Sequence, residues 1–216
     1  MTDWFYAVDG VQHGPASEDA VRTALAEKRV GPDDLVWTDG MPEWIPARRV
    51  VALTGGSEAP FFSVGIVKFV LMNLATLTLY QIYWFYKHWW AIRRRTGEEL
   101  WPLARAIFAV FFFHAMQVEV EAYASSKSVP VARQKVGLTV LFFLLQIAWR
   151  LPDPFWLIGF ATIVPLALAQ HQVNRLHAVA VPFADGNRRI RGWNWLAIVL
   201  GLPFLAMALV GTFMGK

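Results

Sequence analysis

Residues 54–60 read Thr54-Gly55-Gly56-Ser57-Glu58-Ala59-Pro60. A run of small, turn-forming residues makes a joint rather than an element of secondary structure. The two sides of this joint differ in charge. Residues 1–60 hold five basic residues (Arg22, Lys28, Arg29, Arg48, Arg49) and ten acidic ones, whereas residues 61–216 hold fifteen basic and six acidic. They differ in hydropathy as well, because the first strongly apolar run begins near Phe61. The expected organisation is a soluble head over 1–54, a linker over 55–60 and an apolar domain over 61–216.

The composition sets limits on class. Of the 216 residues, 56% are hydrophobic and 17% charged, with a mean hydropathy of +0.39. Ordinary soluble domains run at about 45–50% apolar and about 25% charged. The surplus points to an integral membrane protein. The chain has no cysteine, which excludes disulfides, thiolate chemistry and cysteine-ligated metals. The start, Met1-Thr2-Asp3-Trp4, lacks a basic stretch leading into an apolar core. The head is therefore expected to remain in the cytoplasm.

Within the head, Trp4, Tyr6 and Val8 alternate with other residues and lead into Asp9-Gly10. Period-two alternation ending in Asp-Gly predicts a strand entering a tight hairpin. Gly14-Pro15 closes a second strand. Ser17 suits a helix N-cap, with Glu18 and Asp19 favourable in the first turn. Val21, Ala24, Leu25 and Lys28 form one helical stripe. Leu35-Val36-Trp37 predicts a short buried strand, Asp39-Gly40 another turn, and Val50, Val51 and Leu53 close the domain. The expected head is small α+β, in the order ββαββ.

Trp4-Phe5-Tyr6, Gly14-Pro15, Leu35-Val36-Trp37, Gly40-Met41 and Trp44 resemble the bacterial branch of the GYF domains, across nearly all of residues 3–53. The resemblance implies a GYF-like head that binds a peptide or protein partner, proline-rich segments being the ligands of the family's eukaryotic members. The name-giving Gly-Tyr-Phe tripeptide is absent: Trp44 is followed by Ile45-Pro46-Ala47. Proline-rich segments are preformed polyproline II helices and lose little entropy on docking against aromatic side chains. Trp4, Tyr6, Trp37, Met41 and Trp44 are the candidate peptide-binding residues. The same large side chains also suit the core of a domain this small, and the sequence leaves both roles open. The acidic surroundings favour a ligand carrying Lys or Arg beside its prolines.

The rest of the chain offers five apolar segments for an all-α polytopic membrane domain with about 3–5 membrane segments: 66–86, 103–122, 136–149, 155–169 and 195–214. A spanning helix needs about 20 apolar residues. Leu151-Pro152-Asp153-Pro154 forces a turn between the third and fourth. Trp84, Trp89, Trp90, Trp101, Trp149, Trp156, Trp193 and Trp195 fall at or near segment ends and are expected to form an interfacial belt. Strict alternation of five spans puts successive basic loops on opposite faces, against the positive-inside tendency. A break in the first segment at Thr76-Leu77-Thr78-Leu79-Tyr80 relieves that conflict. The stretches Leu79–Lys87, Arg105–Phe108 and Trp149–Leu157 resemble uncharacterised bacterial membrane proteins, which implies a bacterial inner membrane and no particular activity.

No catalytic constellation, phosphate-binding glycine loop or metal-ligand spacing stands out, so neither an enzyme nor a cofactor is expected. His114, Gln117 and Glu121 share one helical face and form a possible intramembrane polar site, since ionisable groups within membrane segments are functional candidates. Arg93, Arg94, Arg95, Arg188, Arg189 and Arg191 lie beside apolar segments. They are expected to meet anionic lipid headgroups rather than nucleic acid. The leading expectation is a membrane-anchored interaction module. A small transporter or channel component with a regulatory head is the alternative.

Overall fold

The computed structural model describes residues 3–54, 59–132, 134–181 and 186–214. Most of the expected linker, together with Arg133, Asp185 and Lys216, lies outside the described residues. The chain divides into two compact units whose first boundary falls between Ala59 and Pro60.

In the N-terminal unit, β1 (Trp4–Val8) and β2 (Val11–Ala16) form an antiparallel hairpin. Its turn is made by Asp9 (φ 51°) and Gly10 (φ 80°), the two positive-φ residues that a tight hairpin of the right twist requires. Helix α1 (Glu18–Ala26) follows, and the Ser17 hydroxyl accepts the Ala20 N–H at 3.2 Å as its cap. The helix stops before the expected basic residue of its stripe. Lys28 lies beyond the Glu27 cap, exposed, at φ 60°. Strands β3 (Leu35–Thr38) and β4 (Ile45–Pro46) complete a four-stranded sheet of order β2-β1-β3-β4. A 3₁₀ turn (Ala47–Arg49) and the short helix α2 (Val51–Thr54) end the unit. Arg22 of α1 donates to the Ala52 carbonyl and ties α2 down.

The sheet is covered on one face. Val21, Ala24 and Leu25 of α1 pack with Trp4, Val30, Val36, Ala47, Val50 and Leu53 into a single core. β3 is therefore not the fully buried strand expected: Val36 and Thr38 point into the core, while Leu35 is exposed and Trp37 half-buried.

The second unit is helical. The first apolar segment is broken: α3 (Ile66–Ala75) ends, Leu77 and Thr78 take positive φ, and α4 (Tyr80–Thr96) begins. There follow α5 (Pro102–Ile107), α6 (Ala109–Ser126), α7 (Lys135–Ala148), a 3₁₀ stretch (Phe155–Thr162), α8 (Ile163–Ala180) and α9 (Gly192–Met214). Helix α8 runs to Ala180, well past the end expected for the fourth segment. Two of these helices, Phe155–Ala180 with its 3₁₀ start and Gly192–Met214, are long and apolar enough to cross a membrane; Ile66–Ala75 and Lys135–Ala148 are apolar but shorter.

Helix α4 forms the centre of this unit. Trp84, Phe85, Trp89 and Ile92 are buried among Phe69 and Met72 of α3, Phe113 and Met116 of α6, Phe142 of α7, and Leu166 and Val173 of α8. Trp84 and Trp89 are thus core residues and do not join an interfacial belt. The break after Ala75 restarts the helix at Tyr80, so both indoles fall in the body of α4 rather than at the end of a 66–86 span. Trp101, Trp193 and Trp195 remain exposed at helix starts.

Polarity in this unit is inverted relative to a soluble protein. Buried positions include Lys68, Asn73, Gln81, His88, Gln117, Gln170 and His177, whereas Val67, Leu79, Phe111, Phe143, Leu144 and Ile147 are exposed. Helix α9 is the extreme case: Ile198 is its one buried side chain among the described residues, and Val199, Leu200, Phe204, Met207 and Val210 stand exposed. It packs chiefly on α3. The crossing depends on Gly201, where a Cβ would overlap the carbonyl oxygen of Ala75.

Candidate functional site

The alternation of β1 sorts the head's aromatic residues onto two faces. Trp4 pairs in register with Thr38, and Tyr6 with Val36. All four belong to the covered side: Trp4 is 3% exposed, and Tyr6 packs against the core. The indole N–H of Trp4 is buried with no hydrogen-bond partner among the described residues. Tyr6 also stacks on His13 of β2 at 5.1 Å.

Phe5 points the other way and pairs in register with Trp37. Their ring centroids are 5.9 Å apart, and Trp37 is 6.5 Å from Trp44. All three rings are half-buried, and none belongs to the core. The Trp37 Nε1–H donates to the Met41 carbonyl at 2.9 Å, which fixes the indole against the turn at Asp39 and Gly40. Gly14 makes room for Phe5: at φ 134° it lies so close that a Cβ would sit 2.6 Å from the Phe5 ring and 2.8 Å from the Trp4 carbonyl oxygen.

The five expected peptide-binding residues therefore divide. Trp37 and Trp44 lie together on the open face. Trp4 lies in the core, and Tyr6 and Met41 pack against it. Phe5, which sequence reasoning passed over, joins Trp37 and Trp44 in one row. The signal available was its phase in β1, opposite to Trp4 and Tyr6, but that phase marks an outer face only once the β1–β3 register is known. The open side also carries charge, for Asp39 and Glu43 are exposed in the β3–β4 connection.

The polar set of the helical unit serves packing between helices. Gln117 Nε2 donates to the Lys135 carbonyl at 3.2 Å and to Thr139 Oγ1 at 3.1 Å, and Lys135 Nζ donates to Glu121 Oε2 at 2.7 Å. Gln117 and Glu121 thus clasp α6 to α7, and His114 joins none of these bonds. Arg95 donates to Glu119 at 2.8 Å and lies 5.1 Å from the ring centres of Phe61 and Tyr123, so it is committed within the protein. Arg93 and Arg94 are exposed, the latter 4.7 Å over Trp90. Among the described residues, no three His, Asp or Glu side chains gather as metal ligands would.

The sheet thus carries a helix on one face and a row of aromatic rings on the other. Residues 4–53 match the family model of GYF domain 2. The N-terminal domain is accordingly GYF-like, a class of protein-interaction module, and the match covers about a quarter of the chain. No curated protein and no solved structure matches the chain.

The division of the aromatics has a direct consequence for stability. Trp4→Ala is expected to destabilise the head by about 3–5 kcal/mol, the range for truncating a buried large aromatic residue. Trp4→Phe is expected to cost far less, because it removes a buried donor that has no partner. Trp44→Ala is expected to cost under about 1 kcal/mol. Hydrogen exchange over residues 3–53 of the full chain checks the order; equal loss of protection in Trp4→Ala and Trp44→Ala contradicts it.

Proposed function

We propose that the protein is a membrane-anchored interaction module whose head captures a proline-rich, basic peptide segment on the Phe5–Trp37–Trp44 row. The observation that carries this reading is the row itself: Phe5 and Trp37 paired in register on the sheet face that the core leaves open, with Trp44 of the β3–β4 connection beside Trp37. Centroid spacings of 5.9 and 6.5 Å correspond to about two residues of a polyproline II helix, which rises about 3.1 Å per residue. Successive rings thus lie about two residues of such a ligand apart, within a single turn of its three-residue repeat. Asp39 and Glu43, exposed in the β3–β4 connection of a head with nine acidic and five basic residues, favour Lys or Arg beside the prolines and add a salt-sensitive attraction.

The inverted polarity of the helical unit supports the anchoring role. Exposed apolar helices are costly in water and favourable in lipid, whereas lipid demands that polar groups be satisfied inside the protein. α9 and α8 are the segments proposed to cross the membrane, with α3 and α7 as shorter, partly inserted segments. The head is placed on the cytoplasmic side with the basic residues Arg93 and Arg94 and the stretch Arg188–Arg191, in keeping with the positive-inside tendency, and these residues are proposed to lie near anionic headgroups.

Two outcomes are expected. A peptide with alternating prolines flanked by arginine should bind the detergent-purified chain, and Trp44→Ala should weaken binding at least tenfold, the effect of losing an aromatic hot spot. Affinity should fall as salt rises. Calorimetric titration checks this, and undiminished binding by a folded Trp44→Ala chain contradicts it. Separately, the chain should stay with the membrane fraction through alkaline carbonate extraction; release into the supernatant contradicts anchoring by α8 and α9.

A further inference from the structure

The helical unit holds a cationic cavity, lined in part by Arg188, that goes beyond the general headgroup contact proposed above. Arg175 of α8 and Arg188, on the segment leading to α9, line a space of about 420 Å³ together with Lys68, His171 and Asn174. His171 and Arg175 stand one helical turn apart on α8 and both are exposed. Lys68, only 6% exposed, reaches across from α3 and donates to Asn187 Oδ1 at 2.8 Å and to the Arg189 carbonyl at 3.0 Å. The Gly65 N–H adds a bond to the Asn187 carbonyl at 3.5 Å. These bonds hold the strand of chain carrying Arg188 beside α3, and so fix one cavity wall.

Among the described residues, the two guanidinium groups of this cavity have no carboxylate beside them. No acidic side chain lines it among the described residues. Arg48, Arg95 and Lys135 each pair with a carboxylate, but neither Arg175 nor Arg188 is in an ion pair among the described residues. Two guanidinium groups lining one solvent-open pocket repel each other, and an anion bound there relieves that repulsion. A guanidinium fork matches the oxygens of a phosphate with two parallel hydrogen bonds. The cavity has the size of a small-molecule site, about 300–1,000 Å³, and so has room for a phosphate together with the group it esterifies.

We infer that the cavity between α3, α8 and the segment before α9 is a binding site for a phosphate ester, held by Arg175 and Arg188 with His171 as an additional donor. A phospholipid headgroup and a soluble phosphate ester present the same chemistry. The lipid source rests on the membrane reading proposed above; the soluble source does not.

The full chain in detergent is offered two probes, glycerol 3-phosphate by calorimetric titration and phosphatidylglycerol by native mass spectrometry. Binding of at least one probe is expected, weakened about tenfold or more in Arg175→Gln/Arg188→Gln and unchanged in Arg29→Gln/Arg49→Gln, which removes two exposed arginines of the head. Ala178→Phe, which fills the cavity without altering charge, is expected to give the same loss. Retention of the lipid alone assigns the site to a headgroup. Binding of glycerol 3-phosphate assigns it to a soluble ester and leaves the site standing even if the chain leaves the membrane on carbonate extraction. Binding of neither probe, equal loss in both arginine double variants, or undiminished binding by a folded Ala178→Phe chain overturns the inference.

Discussion

The head depends on one constraint, the strict alternation of side chains along β1. Because successive residues of a strand point to opposite faces, Trp4 and Phe5 cannot serve the same surface. Trp4 enters the core beneath α1, and Phe5 is left outside beside Trp37. A one-residue slip of this strand against β3 would exchange the two faces. The hairpin turn at Asp9 and Gly10 and the close approach of Gly14 to Phe5 hold β1 in register with β2, and the pairing of Trp4 with Thr38 and Tyr6 with Val36 sets it against β3. A domain of about fifty residues has little apolar surface to spare. Assigning one large ring to the core and its neighbour to the outer face lets the same five-residue strand fill the core and present an aromatic ring on the open side.

The helical unit rests on a different kind of constraint. Gln170, wholly buried, accepts from Trp84 Nε1 at 2.6 Å and contacts His88 Nε2 at 3.2 Å, while its own amide donates to the Phe62 carbonyl and to Asn174 Oδ1. One side chain thereby joins α4, α8 and the extended residues before α3. Asn174 in turn donates to the Val64 carbonyl at 2.9 Å, and Ser63 meets His177 at 2.8 Å. This network satisfies part of the unit's buried polar groups; Asn73 Oδ1, His88 Nδ1 and His177 Nε2 have no hydrogen-bond partner among the described residues.

Local features of the fold were legible in the sequence because they have local causes. The Asp-Gly turns, the Ser17 cap, the break at 76–79 and the proline turn at 151–154 each follow from the preferences of a few adjacent residues. The two faces of the head were not legible. Trp4, Phe5 and Tyr6 are all apolar and aromatic, so alternation alone does not say which phase faces the helix. That is settled by pairing with β3, some thirty residues on. For the same reason Trp4 was grouped with Trp37, although the sheet separates them. In the helical unit the contacts of Gln170 with Trp84 and His88 span more than eighty residues, beyond any periodicity. Glu121 read as a candidate ion-handling group because its partner Lys135 lies on the next helix, fourteen residues away.

The most direct test of the two-faced head is fluorine NMR of the full chain labelled with fluorotryptophan and titrated with an arginine-flanked proline-rich peptide, the signals being assigned by single Trp→Phe substitutions. The Trp37 and Trp44 resonances are predicted to shift together on binding while that of Trp4 stays in place. A shift confined to Trp4, or binding that leaves Trp37 and Trp44 unmoved, would contradict the account.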